Sequence, residues 1–191
     1  MAPKFRTSVI WSNIRISGIT ILDGVRYGIY LKSTHTRGGW TKNVRMTNIT
    51  MHGVQTAIKI DLNYFPAFST PHIPGGIEQD LPAGLTRVPD YWRILAAPVL
   101  PEKGVPHFRD IALSDFQADG IKTAIDVSAA QDAPMERFTL ERIDIEAERA
   151  GSIQHTDQWR IDRVRVRARD GQPLKEEDMR QTTGTIDVLK P

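Results

Sequence analysis

Hydrophobic and polar residues alternate with period two over much of the chain, the spacing that lines one face of a β-strand. The alternation also repeats. Ile14-Arg-Ile-Ser-Gly-Ile-Thr-Ile21, Val44-Arg-Met-Thr-Asn-Ile-Thr-Met51 and Ile111-Ala-Leu-Ser-Asp-Phe-Gln-Ala118 share one pattern: apolar, any, apolar, two polar, apolar, any, apolar. Phe138-Thr-Leu-Glu-Arg-Ile-Asp-Ile145 and Trp159-Arg-Ile-Asp-Arg-Val-Arg-Val166 continue it. The two central polar residues shift the phase of the alternation, so each copy predicts a strand, a corner and a second strand. A shorter apolar strand follows in Gly28-Ile-Tyr-Leu31, Ala57-Ile-Lys-Ile60 and Ala124-Ile-Asp-Val127, and more weakly in Gly151-Ser-Ile153.

The copies start at residues 14, 44, 111, 138 and 159, in steps of 30, 67, 27 and 21. Three short strands per 21 to 30 residues is the content of one coil of a parallel β-helix, which cannot bury a core until neighbours stack on it. The predicted fold class is therefore all-β, a right-handed parallel β-helix of about five coils formed by residues 1–191 as a single domain. The alternative, a β-sandwich, needs tight hairpins every 8–12 residues. Asp23-Gly24, Asp119-Gly120 and Asp170-Gly171 fall at coil spacing instead. The step of 67 is read as an irregular insertion over residues 64–105, which holds seven of the twelve prolines and the aromatics Tyr64, Phe65, Phe68, Tyr91 and Trp92. Residues 170–191 are read as a C-terminal tail or cap.

Stacked coils place outward residues in parallel register with residues one coil away. A step of 21 sets Asp144 on Arg165, Glu146 on Arg167 and Glu148 on Arg169, three opposite-charge pairs in a row, and a step of 27 sets Asp115 under Arg142. The arginine run at 163, 165, 167 and 169 is thereby a solvated ladder face rather than a polyanion site.

Charge agrees. With 25 Lys and Arg against 23 Asp and Glu, the formal net charge of +2 offers no strong field for nucleic acid. The longest apolar run, Ile94 to Leu100, is far short of the roughly 20 residues that span a bilayer, so no membrane partner is expected. No secretory signal is evident at the start, which as written places the chain in the cytoplasm. The absence of cysteine removes disulfides, thiol catalysis and thiolate metal sites. His35, His52, His72, His107 and His155 lack metal-ligand spacing, so neither a metal nor a cofactor is expected. Asn48-Ile-Thr50 is formally a glycosylation sequon, but it coincides with a corner.

Tyr27-Gly-Ile-Tyr-Leu-Lys-Ser33, Thr36-Arg-Gly-Gly-Trp40, Lys42-Asn-Val-Arg-Met-Thr-Asn-Ile-Thr-Met51 and Ile58-Lys-Ile-Asp-Leu-Asn-Tyr64 together resemble the C-terminal half of family 28 glycoside hydrolases, the polygalacturonases and rhamnogalacturonan hydrolases. Pro106-His-Phe-Arg-Asp-Ile111 and Lys122-Thr-Ala-Ile-Asp-Val127 look like later coils of bacterial members. The resemblance implies a substrate class of acidic, pectic polysaccharide, and relatives that are typically secreted or periplasmic. It also implies a gap. The family's Asn-Thr-Asp, Asp-Asp and Gly-His-Gly motifs, which supply its catalytic carboxylates, do not occur here, so the chain looks like a fragment beginning after them, with no catalytic residue of its own.

The family's Arg-Ile-Lys motif aligns with Tyr30-Leu31-Lys32, which makes Lys32 the residue implied to bind a sugar carboxylate and puts Tyr30 where the arginine would be. Tyr64 matches the family's substrate-contacting tyrosine, and Arg37, in the turn Arg37-Gly38-Gly39, is available for a second carboxylate. Asp61 and Asp126 are ordinary outward acids of a β-helix. Three functions follow as expectations: a non-hydrolytic pectinase-like module that binds acidic polysaccharide or serves assembly, half of a hydrolase completed by upstream coils, and a structural β-solenoid unrelated to sugars. The open edge of the first coil predicts a homo-oligomer, dimer or trimer, covering it.

Overall fold

The structure is a computed structural model, which describes residues 10–33, 38–62 and 100–190. Among these, nine strands are named in chain order: β1 (Ile10–Ile21), β2 (Tyr27–Lys32), β3 (Trp40–His52), β4 (Thr56–Asp61), β5 (His107–Ser128), β6 (Met135–Asp157), β7 (Arg160–Ala168), β8 (Lys175–Arg180) and β9 (Ile186–Leu189). One helical turn, α1 (Pro101–Gly104), precedes β5. The described chain is thus nearly all β, and every ladder between the named strands is parallel.

Two rows of strands share the long strands β5 and β6. One runs β1-β3-β5-β6-β7-β9, and the other adds β2 and β4 before β5 and β8 after β6. The register reproduces the spacing of the sequence repeats. Ile14 lies against Val44, Val44 against Ile111, Ile111 against Phe138 and Thr139 against Arg160, steps of 30, 67, 27 and 21. The 67-residue step leaves the ladder intact on either side. Residues 170–190 carry β8 and β9, which extend both rows by one more strand.

Each expected strand, corner and strand is one continuous strand in the structure. A single residue with positive φ makes the bend, and parallel pairing resumes on the far side. Gly18, Asn48, Asp115, Arg142 and Arg163 occupy this corner in successive repeats, with φ of 68°, 56°, 53°, 53° and 54°. A second corner stacks Asn13, Asn43, Asp110 and Arg137, with φ of 58°, 52°, 56° and 48°. Left-handed backbone suits Gly, Asn and Asp. The arginines there are held by what they touch.

Inward positions of both rows form one core. Val44, Met46, Ile49, Met51, Leu113, Phe116, Phe138, Ile143 and Val166 from the first row meet Ile58, Ile60, Ile125, Val127 and Ile153 from the second. The approach is close: a Cβ at Gly28 on β2 would fall on the Met51 sulfur of β3. Trp159 is 1% exposed, tilts against Phe138 with centroids 4.8 Å apart, and donates its indole N–H to the Met135 carbonyl at 2.9 Å.

Candidate functional site

The two described residues of the expected site share one outward strand. Tyr30 is half-buried and Lys32 exposed on β2, and period-two spacing puts both on the same face. The Lys32 ammonium stands 5.3 Å from the centroid of the Tyr30 ring, and Tyr27 lies against the same ring at 4.5 Å, tilted by 50°. The β2 to β4 register places Lys59 beside Tyr30 and Asp61 beside Lys32. The remaining expected residues, Tyr64 and Arg37, fall outside the described residues, as do His35, His72, Tyr91, Trp92 and most of the expected insertion.

Neighbouring carboxylates are engaged. Asp126 accepts from the Lys59 ammonium at 2.7 Å. Asp115 receives two prongs of Arg142, Nε at 2.5 Å and Nη2 at 2.8 Å, and a hydroxyl from Thr47 at 3.1 Å. That guanidinium fork, followed by the hydroxyls of Thr47 and Ser114, holds the Asp115 carboxyl well below the usual carboxylate range. Asp110 is likewise lowered, first by its hydrogen bonds to Arg137 at 2.6 and 3.0 Å.

A shallow cavity of about 400 Å³ runs along the Asn48–Asp115–Arg142–Arg163 corner, with Thr50, Gln117, Asp144 and Arg165 on its wall. It is polar and its acids are paired. Asp144 takes Arg167 at 2.7 Å and Arg165 at 3.3 Å. Here the structure refines the expected ladder. Asp144 with Arg165 and Glu146 with Arg167 are backbone partners as the repeat spacing predicts, but Arg167 bonds Asp144 and Arg169 bonds Glu146 at 2.7 Å. Each of these arginines reaches along the strand to the acid one outward position earlier, as long side chains leaning along a strand can.

The histidines fill roles that the absence of ligand spacing does not disclose. His52 meets Asp119 at 2.8 Å and His155 meets Asp178 at 3.0 Å, each across adjacent strands. His107 stacks on Trp40 with centroids 4.1 Å apart and planes 19° apart. Among the described residues no group of three or more His, Asp or Glu side chains is placed to hold a metal ion, and no helix is long and apolar enough to cross a membrane. The Trp40–His107 stack went unnoticed in the sequence, although the 67-residue step alone pairs the two positions.

No protein-family model matches the chain, and no curated protein matches it.

Proposed function

We propose that the chain winds as a right-handed parallel β-helix and acts as a non-hydrolytic module that binds an acidic, pectic-type polysaccharide. The observation that carries the reading is the Tyr27–Tyr30–Lys32 group on β2. The paired tyrosine rings offer apolar surface to a sugar ring, and the Lys32 ammonium, which stands over the Tyr30 ring, supplies the charge complement of a uronate carboxylate. The helical winding is supported by two rows of parallel strands that share β5 and β6, by single-residue corners and by one common core.

Inverting glycoside hydrolysis needs a general acid with a raised pKa, and a base about 6.5–9.5 Å away. Asp110 and Asp115 are instead pulled down by guanidinium groups, and Asp126 is tied to Lys59. Isothermal titration with a short oligogalacturonate should show binding that weakens in Tyr30→Ala and Lys32→Ala. A reducing-sugar assay at high protein concentration should show no turnover. Turnover abolished by Asp61→Ala or Asp126→Ala would overturn the non-hydrolytic reading and point to a carboxylate pair assembled by this chain itself or across a subunit boundary.

A second reading, self-assembly, is favoured by β1. Of the seven exposed large hydrophobics among the described residues, five lie between Ile10 and Val25: Ile10, Trp11, Ile19, Leu22 and Val25. They flank a terminal strand of the sheet, and such an edge invites pairing by a second copy. Light scattering at micromolar concentration should give a dimer or trimer, and Trp11→Glu should give a monomer.

A further inference from the structure

We infer that the corner at Asn13, Asn43 and Asp110 carries a second anion site, apart from the Tyr27–Tyr30–Lys32 group, that takes a linear acidic glycan. The starting point is a register that opposes like charges. Lys42 lies directly against Arg109, and Arg15 against Arg45, an arrangement that destabilises a sheet unless something neutralises it. Lys42 and Arg45 are three residues apart around the left-handed Asn43, so the two like-charge rungs adjoin.

Counter-charge within the described residues is short. Arg15, Lys42 and Arg45 take part in none of the ion pairs described there. The nearest acid to Arg109 is Asp110 at 3.8 Å, and both oxygens of Asp110 already accept from Arg137. Among the described residues the Arg109 Nε is buried without a hydrogen-bond partner. Five cations (Arg15, Lys42, Arg45, Arg109, Arg137) thus share three acids, Asp110, Asp157 near Arg137, and Glu136, the rung partner of Arg109 on β6.

An aromatic wall adjoins it. The Arg109 guanidinium carbon sits 4.6 Å from the Trp40 ring centroid, with His107 stacked on the same ring. Strand spacing sets the opposed cations about 4.8 Å apart, a separation that a polymer lying across the strands can meet residue by residue. Cations alone would suit any polyanion; the Trp40–His107 wall beside them favours one built of rings. The glycan class rests on the function proposed above, whereas the site does not involve its residues.

The test is a ¹⁵N-correlated NMR titration of the full chain with a short oligogalacturonate, a neutral oligosaccharide of similar length and inorganic polyphosphate, the Trp40 indole signal being assigned with Trp40→Phe. The oligogalacturonate should move the Trp40 indole, the neutral sugar should not, and Lys42→Ala/Arg45→Ala should bind roughly tenfold more weakly, as expected for two lost solvent-accessible ion contacts. Lys32→Ala should leave the Trp40 shift in place. Spectral dispersion reports that each variant is folded. Binding that perturbs only the Tyr27, Tyr30 and Lys32 signals would overturn this site and leave the proposed function standing. Tighter binding of polyphosphate at Trp40 would overturn the glycan assignment, and loss of the Trp40 shift in Lys32→Ala would overturn the independence of the two sites.

Discussion

Arg163 tests whether the corners dictate residue type against strand propensity. Its φ is 54°, in the left-handed region, although it lies in the middle of β7. Holding a non-glycine residue there costs about 1–2 kcal/mol. Glycine removes that cost but loses more backbone freedom on folding, about 0.4–1 kcal/mol. The Arg163 side chain is 65% exposed, and its contacts are Asp162 at 3.2 Å and Glu141 at 3.7 Å; pairs of this exposure contribute about 0.2–1 kcal/mol. Arg163→Gly should therefore be close to neutral, within about 0.5 kcal/mol of wild type. Arg163→Val should be destabilised by about 2 kcal/mol, because a β-branched residue is a genuine outlier at positive φ.

Arg165 supplies the control. It lies two residues on, in the same strand, with ordinary strand pairing to Asp144 and Asp187. There the order should reverse, valine exceeding glycine, since β-branched residues suit a regular strand. Urea unfolding followed by circular dichroism measures all four variants. With a slope of about 2 kcal/mol per molar, the difference between Arg163→Gly and Arg163→Val corresponds to a midpoint shift of about 1 M. If Arg163→Val proved at least as stable as Arg163→Gly, the reasoning would be refuted.

Three further outcomes are expected. The acid limb of stability should depend on Asp110 and Asp115: both have folded pKa values lowered by arginine, so the stability they contribute is present above their unfolded value of about 3.9 and is lost as pH falls below it; Asp110→Asn/Asp115→Asn should flatten that limb in acid titrations, and an unchanged limb would contradict the pairing. Trp159→Phe should cost about 2–4 kcal/mol in urea unfolding, because it orphans the buried Met135 carbonyl and leaves a void beside Phe138; a loss below about 1 kcal/mol would contradict that packing. Double-mutant cycles should find more coupling between Asp144 and Arg167 than between Glu146 and Arg167, although only the latter are backbone partners; the reverse order would restore the simple rung-by-rung ladder.

Alternation and repeat spacing made most of the ladder legible, because inward Ile, Val, Leu and Phe must coincide from repeat to repeat for a core to form. Ile14, Val44, Ile111 and Phe138 are in register as their spacing requires. Side-chain reach was less legible. Arg167 and Arg169 select acids two positions away from their rung partners, since the choice depends on rotamers rather than on register. Positive φ at Arg137, Arg142 and Arg163 was hidden as well, for arginine carries none of the left-handed preference that marks Gly18 or Asn48. The basic corner is implicit in the steps of 30 and 67, which set Arg15 on Arg45 and Lys42 on Arg109.

The bends in each repeat differ in how much chain they consume. Those at Gly18, Asn48, Asp115, Arg142 and Arg163 spend one residue each, whereas β2 connects to β3 through residues 33–39 and β4 to β5 through residues 62–106. The largest differences in length therefore fall at one seam, while the bend between the two rows varies by only a few residues. An insertion there leaves every hydrogen-bonded rung where it was, while one extra residue at Asp115 would turn the rest of its strand inside out. The molecule has in this seam a place where new surface can be grafted by evolution or by an engineer without rewriting the core, and the charged corners opposite have no such latitude.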